Sequence, residues 1–233
     1  MITFGIISAV VCLVLAGVFM YFRITEKGPI SVISKTMASL VFVMAGIYIS
    51  ARVGDNAVAT LVPVGLICGM LGDILLELKV IYSVDKKAYY YAGCVAFAIG
   101  HLFYGGAVCA FVDPALHVFK ILCFSIAIGL AVSTVIMLFG DKLKLDFGEY
   151  FWVTYVYSFM LVTMVALSVW VAILDTRFVL LAIGMVAFFA SDLVLSMQYF
   201  GEKHLADKES LVIVNHGLYY LAQVMVVIFL AAL

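Results

Sequence analysis

Apolar runs of about twenty residues recur from one end of this chain to the other, each closed by a short cluster of charges. A helix rises ~1.5 Å per residue and needs about 20 apolar residues to cross a ~30 Å hydrocarbon core, so each run is a candidate membrane span. The runs predict eight helices, at roughly 2–22, 30–50, 57–76, 88–111, 115–139, 149–173, 177–199 and 211–232. No segment alternates polar and apolar residues, which excludes a β-barrel. Of the 233 residues 67% are hydrophobic and 12% charged, against ~25% charged in soluble domains, so the chain reads as a single all-α polytopic membrane domain over 1–233. The net charge of −1 offers no basic surface for nucleic acid, and no tail or soluble domain is left over. The first run starts at Ile2 without a basic leader or a small-residue cleavage site, so it is expected to stay as a helix. Cys12, Cys68, Cys94, Cys109 and Cys123 lie within apolar runs, lack metal-ligand spacing and read as small hydrophobes.

The connections at 51–56, 112–114 and 174–176 are short, favouring antiparallel neighbours in a helical bundle. Pro29 and Pro114 sit at span boundaries, and Pro63 is expected to bend helix 3. Basic residues sort between the two sides. Arg23, Lys27, Lys79, Lys86, Lys87, Lys142, Lys144, Lys203 and Lys208 follow helices 1, 3, 5 and 7, whereas the opposite side holds Arg52, Arg177 and Lys120. The positive-inside rule makes the richer side cytoplasmic and puts both termini outside, in a bacterial inner membrane or a eukaryotic reticulum or plasma membrane.

Orientation converts sequence position into depth. Asp73 in "LGDILLEL" and Asp192 in "FFASDLVL" both lie in the cytoplasmic halves of spans that run toward the cytoplasm, so the two carboxyl groups can share a site. Helices 2, 6 and 8 bring polar groups to the same layer in their first turns: Lys35, then Thr154, Tyr155 and Tyr157, then Asn215, His216 and Tyr219. Asn215, Tyr219 and Gln223 form one stripe at i, i+4 and i+8, which should face the bundle interior. His101 and Tyr104 lie nearer the midplane and are expected to floor the same cavity. A buried charge near mid-span costs ~2.5–3.5 kcal/mol on insertion scales, so two at matched depth need a function. Glu77, close to its helix end, is expected to snorkel to the interface, and Tyr89, Tyr90 and Tyr91 read as interfacial belt.

Gly65 and Gly69 precede Asp73 in a GxxxG pair, and Gly184 precedes Asp192, giving helices 3 and 7 small-residue faces suited to close approach. The segments G65-x6-G72-D73-I-x-L and G184-x6-S191-D192-L-x-L superpose, and "HLFY" at 101–104 matches "HGLY" at 216–219. Both pairs are four spans apart, the trace a 4+4 parallel repeat would leave. His101 is deeper in its span than His216 by about 10 Å at helical rise.

"GLICGMLGDILLEL", "FAIGHLFYGGA", "AIGMVAFFASDLVLS" and "GLYYLAQVMVV", in this order and spacing, resemble the YhhN family of membrane proteins, which includes the lysoplasmalogenases. The resemblance implies an eight-helix hydrolase of the vinyl-ether bond of lysoplasmalogens, releasing a fatty aldehyde and a glycerophospho-alcohol, with Asp73 and Asp192 as the paired acids. Lys35 matches a lysine that family members usually follow with proline; here Thr36 follows.

Cleavage of a vinyl ether needs a proton donor to its β-carbon and a carboxylate to steady the oxocarbenium ion and orient water, a division of labour two aspartates sharing one proton can supply. Lys35, Tyr155 and Tyr157 are candidate headgroup ligands, with His101, Tyr104, Asn215, Tyr219 and Gln223 around the substrate and Phe97, Phe188 and Phe189 along its tail. No GxSxG nucleophile is present, and a hydrolase without metal or cofactor is expected. The partners expected are a lysophospholipid substrate and membrane lipid, with a homodimer left open. A proton-coupled transporter would also use membrane carboxylates. An intramembrane aspartyl protease would need glycine where Met70 stands.

Overall fold

The computed structural model describes residues 1–54, 56–82, 84–112, 117–206 and 208–233. All eight expected spans form: α1 (Ile2–Thr25), α2 (Pro29–Val53), α3 (Ala57–Ile81), α4 (Lys86–Phe111), α5 (Val118–Leu138), α6 (Phe151–Leu174), α7 (Val179–Phe200) and α8 (Glu209–Ala232). Each is long and apolar enough to cross a bilayer, and the described residues contain no strand. Pro29 occupies the first helical position after Gly28, where its missing N–H costs no hydrogen bond. Asn56 caps α3, its side-chain oxygen accepting from the Ala59 amide at 2.9 Å. Pro63 lies inside α3 without ending it. The expected helix 5 start at 115 and Pro114 fall outside the described residues.

The clearest boundary difference is at the ends of α1 and α3, which run on past 22 and 76. Arg23, Glu77 and Lys79 find partners inside the bundle, so the chain stays helical through positions whose charge reads as loop.

Glycine faces set the closest helix pairs. A Cβ on Gly65 would collide with the Tyr104 ring, and one on Gly72 would fall 2.6 Å from the Phe97 ring, so α4 seats directly on α3. Gly184 does the same for α8 on α7, where a Cβ would approach the Ala222 carbonyl oxygen to 3.0 Å. The small-residue faces of helices 3 and 7 therefore each receive the next helix in the chain. The pairing pattern largely repeats after four helices. α1 packs on α2 as α5 does on α6, α2 on α3 as α6 on α7, α3 on α4 as α7 on α8, and α2 on α8 as α6 on α4. The exception is α1, which packs well on α8 while α5 barely touches α4. Exposed apolar side chains such as Val14, Ile7 and Leu138 cover the outside, as a lipid-facing surface requires.

Candidate functional site

A polar cavity of ≈ 70 Å³ lies between the helices and is lined by both Asp73 and Asp192. Asp73 is buried, on the turn of α3 that Gly72 brings against α4. Its Oδ2 accepts hydrogen bonds from the Ser39 hydroxyl and the Tyr219 hydroxyl, each at 2.6 Å, and the Lys35 ammonium stands 3.4 Å from its Oδ1. Gln223, one turn beyond Tyr219, donates to the Tyr219 hydroxyl at 3.0 Å, so the α8 stripe acts as a chain that orients the donor to Asp73.

Asp192 is held differently. The Tyr157 hydroxyl donates to its Oδ2, and among the described residues no Lys or Arg forms an ion pair with it. Its helix is anchored by Asn215, whose side-chain amide donates to the Ser191 carbonyl oxygen at 2.8 Å and to the Ser191 hydroxyl at 3.0 Å. Phe97 joins the two clusters: its ring lies 6.0 Å from Tyr219, 6.4 Å from Tyr157 and 5.7 Å from Phe188. A smaller apolar pocket of ≈ 20 Å³ between α5, α6 and α7 shares Asp192, Thr154, Ser158 and Ser196 with the polar cavity. Asp192 thus stands on the wall between a polar chamber and an apolar one.

The YhhN family model matches residues 31–230, which takes in both aspartates and all of their hydrogen-bond partners. The chain belongs to the YhhN family. No curated protein and no solved structure matches.

In this YhhN chain six of the ten expected site residues line the polar cavity: Asp73, Asp192, Lys35, Tyr157, Asn215 and Tyr219. Gln223 does not line it and acts through Tyr219. Tyr155 is turned away, its hydroxyl 3.0 Å from Thr134 on α5 and its ring parallel to Phe151. His101 and Tyr104 are buried but do not floor the cavity. His101 lies behind Phe188, with ring centroids 4.8 Å apart, and borders a separate apolar cavity of ≈ 470 Å³ between α4, α5 and α6. Neither of its ring nitrogens nor the Tyr104 hydroxyl has a hydrogen-bond partner. The H-x-[FL]-Y echo therefore does not place equivalent side chains: Tyr219 reaches Asp73, whereas the donor to Asp192 comes from α6, because the His101 motif lies deeper in its span. Of the expected tail residues, Phe97 and Phe188 line the polar cavity and Phe189 lines the smaller pocket.

Two further expectations are overturned. Glu77 does not snorkel; it is buried, accepts from the Ser31 hydroxyl at 2.8 Å, and pairs with Arg23 at 3.2 Å and Lys35 at 3.9 Å. Tyr90 is not part of an interfacial belt; it is buried, its hydroxyl 2.9 Å from that of Thr154, and it lines the cavity. Arg23 and Ser39 complete the constellation. Arg23 on α1 and Glu77 on α3 carry opposite charge at the same end of two spans that run in the same direction, the one signal in the sequence that could have paired them.

Proposed function

We propose that this protein hydrolyses the vinyl-ether bond of a lysoplasmalogen-type lipid, with Asp192 as proton donor and Asp73 as the anionic partner. The observation that carries the reading is the position of Asp192 on the wall shared by the polar cavity and the apolar pocket. A single-tailed ether lipid has its reactive bond where head meets tail, and a carboxyl at a polar–apolar seam meets that bond.

The division of roles follows charge compensation. Asp73 has an ammonium and two hydroxyl donors directed at it, the surroundings of a carboxylate. Asp192, without a cation, is the group that carries the proton. It protonates the β-carbon of the vinyl ether, leaving an oxocarbenium ion at the α-carbon that the Asp73 carboxylate stabilises. Water adds to the α-carbon as Asp73 takes its proton; the hemiacetal then collapses as Asp73 passes that proton to the leaving glycerol oxygen and the hemiacetal hydroxyl gives its own to Asp192, releasing fatty aldehyde and glycerophospho-alcohol and restoring both acids. Lys35 and Arg23, both on the cavity wall, are the cations available to the lipid phosphate. By the positive-inside rule the cavity opens toward the cytoplasm.

The test is aldehyde release from a lysoplasmalogen by the purified chain in detergent, with the ester-linked lysolipid as the uncleaved control. Lipid taken up into proteoliposomes without any aldehyde would replace this reading with transport.

A further inference from the structure

Lys79, in the last turns of α3, has no carboxylate partner among the described residues. Its ammonium lies instead among three aromatic rings, 3.2 Å from the Tyr199 centroid, 4.5 Å from Tyr90 and 5.8 Å from Tyr150. The rings are set before any ligand arrives. Tyr90 packs edge-on against Tyr150 at 5.0 Å and Tyr199 at 6.0 Å, Phe200 closes the cluster at 5.7 Å from Tyr90, and the Tyr90 hydroxyl is tied to Thr154. Tyr90, Tyr199, Phe200 and Thr154 all line the polar cavity, whose wall also carries Arg23, Lys35 and both aspartates. A box of tyrosines around a cation is the arrangement that recognises quaternary ammonium groups, which present no N–H and are held by ring faces alone.

Building on the lipid substrate proposed above, we propose that this cage is the seat of the substrate's headgroup ammonium, of the choline type, and that Lys79 fills it in the unliganded protein. A lysine ammonium is strongly hydrated, so a ring cage holds it less well than a quaternary group that no hydrogen bond can reward. Lys79 is half-buried and close to the end of α3 at Ile81, so its four-carbon stem can carry the charge out to water when a ligand enters. The phosphate of the same headgroup then lies toward Arg23 and Lys35, and the glycerol leads on to the aspartates. Lys79 acts as a competitor for the cage, and its removal should strengthen choline-lipid binding.

The experiment measures binding of ester-linked lysophosphatidylcholine and of lysophosphatidic acid with the same acyl chain to the purified full chain in detergent. Because both ligands lack the vinyl ether, the readout is independent of hydrolysis. The wild-type protein should prefer the choline lipid by about tenfold, the scale of a desolvated cation–π contact. Tyr199→Leu should erase that preference with phosphatidate binding kept, and Lys79→Ala should raise affinity for the choline lipid several-fold without raising it for the phosphatidate. Should Tyr199→Leu fail to fold, Tyr150→Leu, at the outer and half-buried edge of the cage, tests the same loss. Phosphocholine without a tail should bind far more weakly than the lipid, and equal binding would overturn a lipid headgroup as the occupant. A headgroup preference that survives loss of the rings, or a Lys79→Ala variant that binds the choline lipid more weakly, overturns the cage. Hydrolysis without headgroup preference refutes the cage and keeps the chemistry; preference without hydrolysis does the reverse.

Discussion

Replacing each aspartate by asparagine should abolish turnover equally but destabilise the protein unequally. In Asp73→Asn the amide oxygen can still accept from Ser39 and Tyr219, but the amide nitrogen is then turned toward the Lys35 ammonium, 3.4 Å from the present carboxylate oxygen. Lys35 is left with Glu77 at 3.9 Å as its remaining anion. Breaking a buried ion pair costs ~3–5 kcal/mol, and the share retained by Glu77 puts the expected loss near the low end, about 3 kcal/mol. In a chain of this size that lowers Tm by roughly 6–12 °C. Asp192 has a tyrosine hydroxyl and no ion pair among the described residues, so in the proposed mechanism Asp192→Asn exchanges a neutral acid for a neutral amide of the same shape. Its cost is the adjustment of one interhelical hydrogen bond, about 0.6 kcal/mol in membranes. Loss of the proton donor should nevertheless slow aldehyde release by ~10²–10⁴-fold. The assay pairs thermal unfolding in detergent, followed by tryptophan fluorescence, with aldehyde release at a temperature where both variants are folded. Equal destabilisation by the two substitutions would refute the charge assignment, and an active Asp192→Asn would remove that group from the chemistry.

Gly65→Val should cost about 1–3 kcal/mol by driving a side chain into the Tyr104 ring, whereas Gly17→Ala, whose Cβ meets nothing within 4 Å, should be neutral or stabilise by up to about 1 kcal/mol; thermal unfolding separates them. A double-mutant cycle on Arg23→Met and Glu77→Gln should give a coupling of about 0.5–3 kcal/mol, and additive losses would show that the pair is not made. His101→Leu should raise Tm by removing two buried ring nitrogens without partners, a gain of about 1–3 kcal/mol less any packing loss. A reporter fused after Leu233 should read as non-cytoplasmic, and a cytoplasmic signal would reverse the assigned orientation.

The eight spans are legible in the sequence because a bilayer tolerates little except long apolar helices. Depth is legible for the same reason: rise per residue puts Asp73 and Asp192 in one layer, and one cavity touches both. What the rise does not specify is the direction a side chain takes around its helix. Tyr155 and Tyr157 share a depth, yet one faces α5 and the other faces Asp192. His101 likewise sits one ring away from the chamber it was expected to floor. Charge at a helix end reads as solvent-bound until its partner is known, which is why Arg23, Glu77 and Lys79 pass for loop residues when each helix is read singly. The four-helix echo is visible in the helix pairing but not in the partners of the two acids, since Lys35 faces Asp73 and no lysine among the described residues pairs with Asp192.

The order of charges along the chain bears on how the protein enters the membrane. Arg23 and Lys35 on the first two helices are translated before Glu77 and Asp73 on the third, so two cations already stand in or near the bilayer when the two anions arrive. The four charges sum to zero, and they can partition as one neutral unit only if the first three helices insert together. A truncation that removes the first helix would strand Glu77 with half its counter-charge, and the resulting failure would be one of insertion, visible as protein lost from the membrane fraction before any enzyme assay is run.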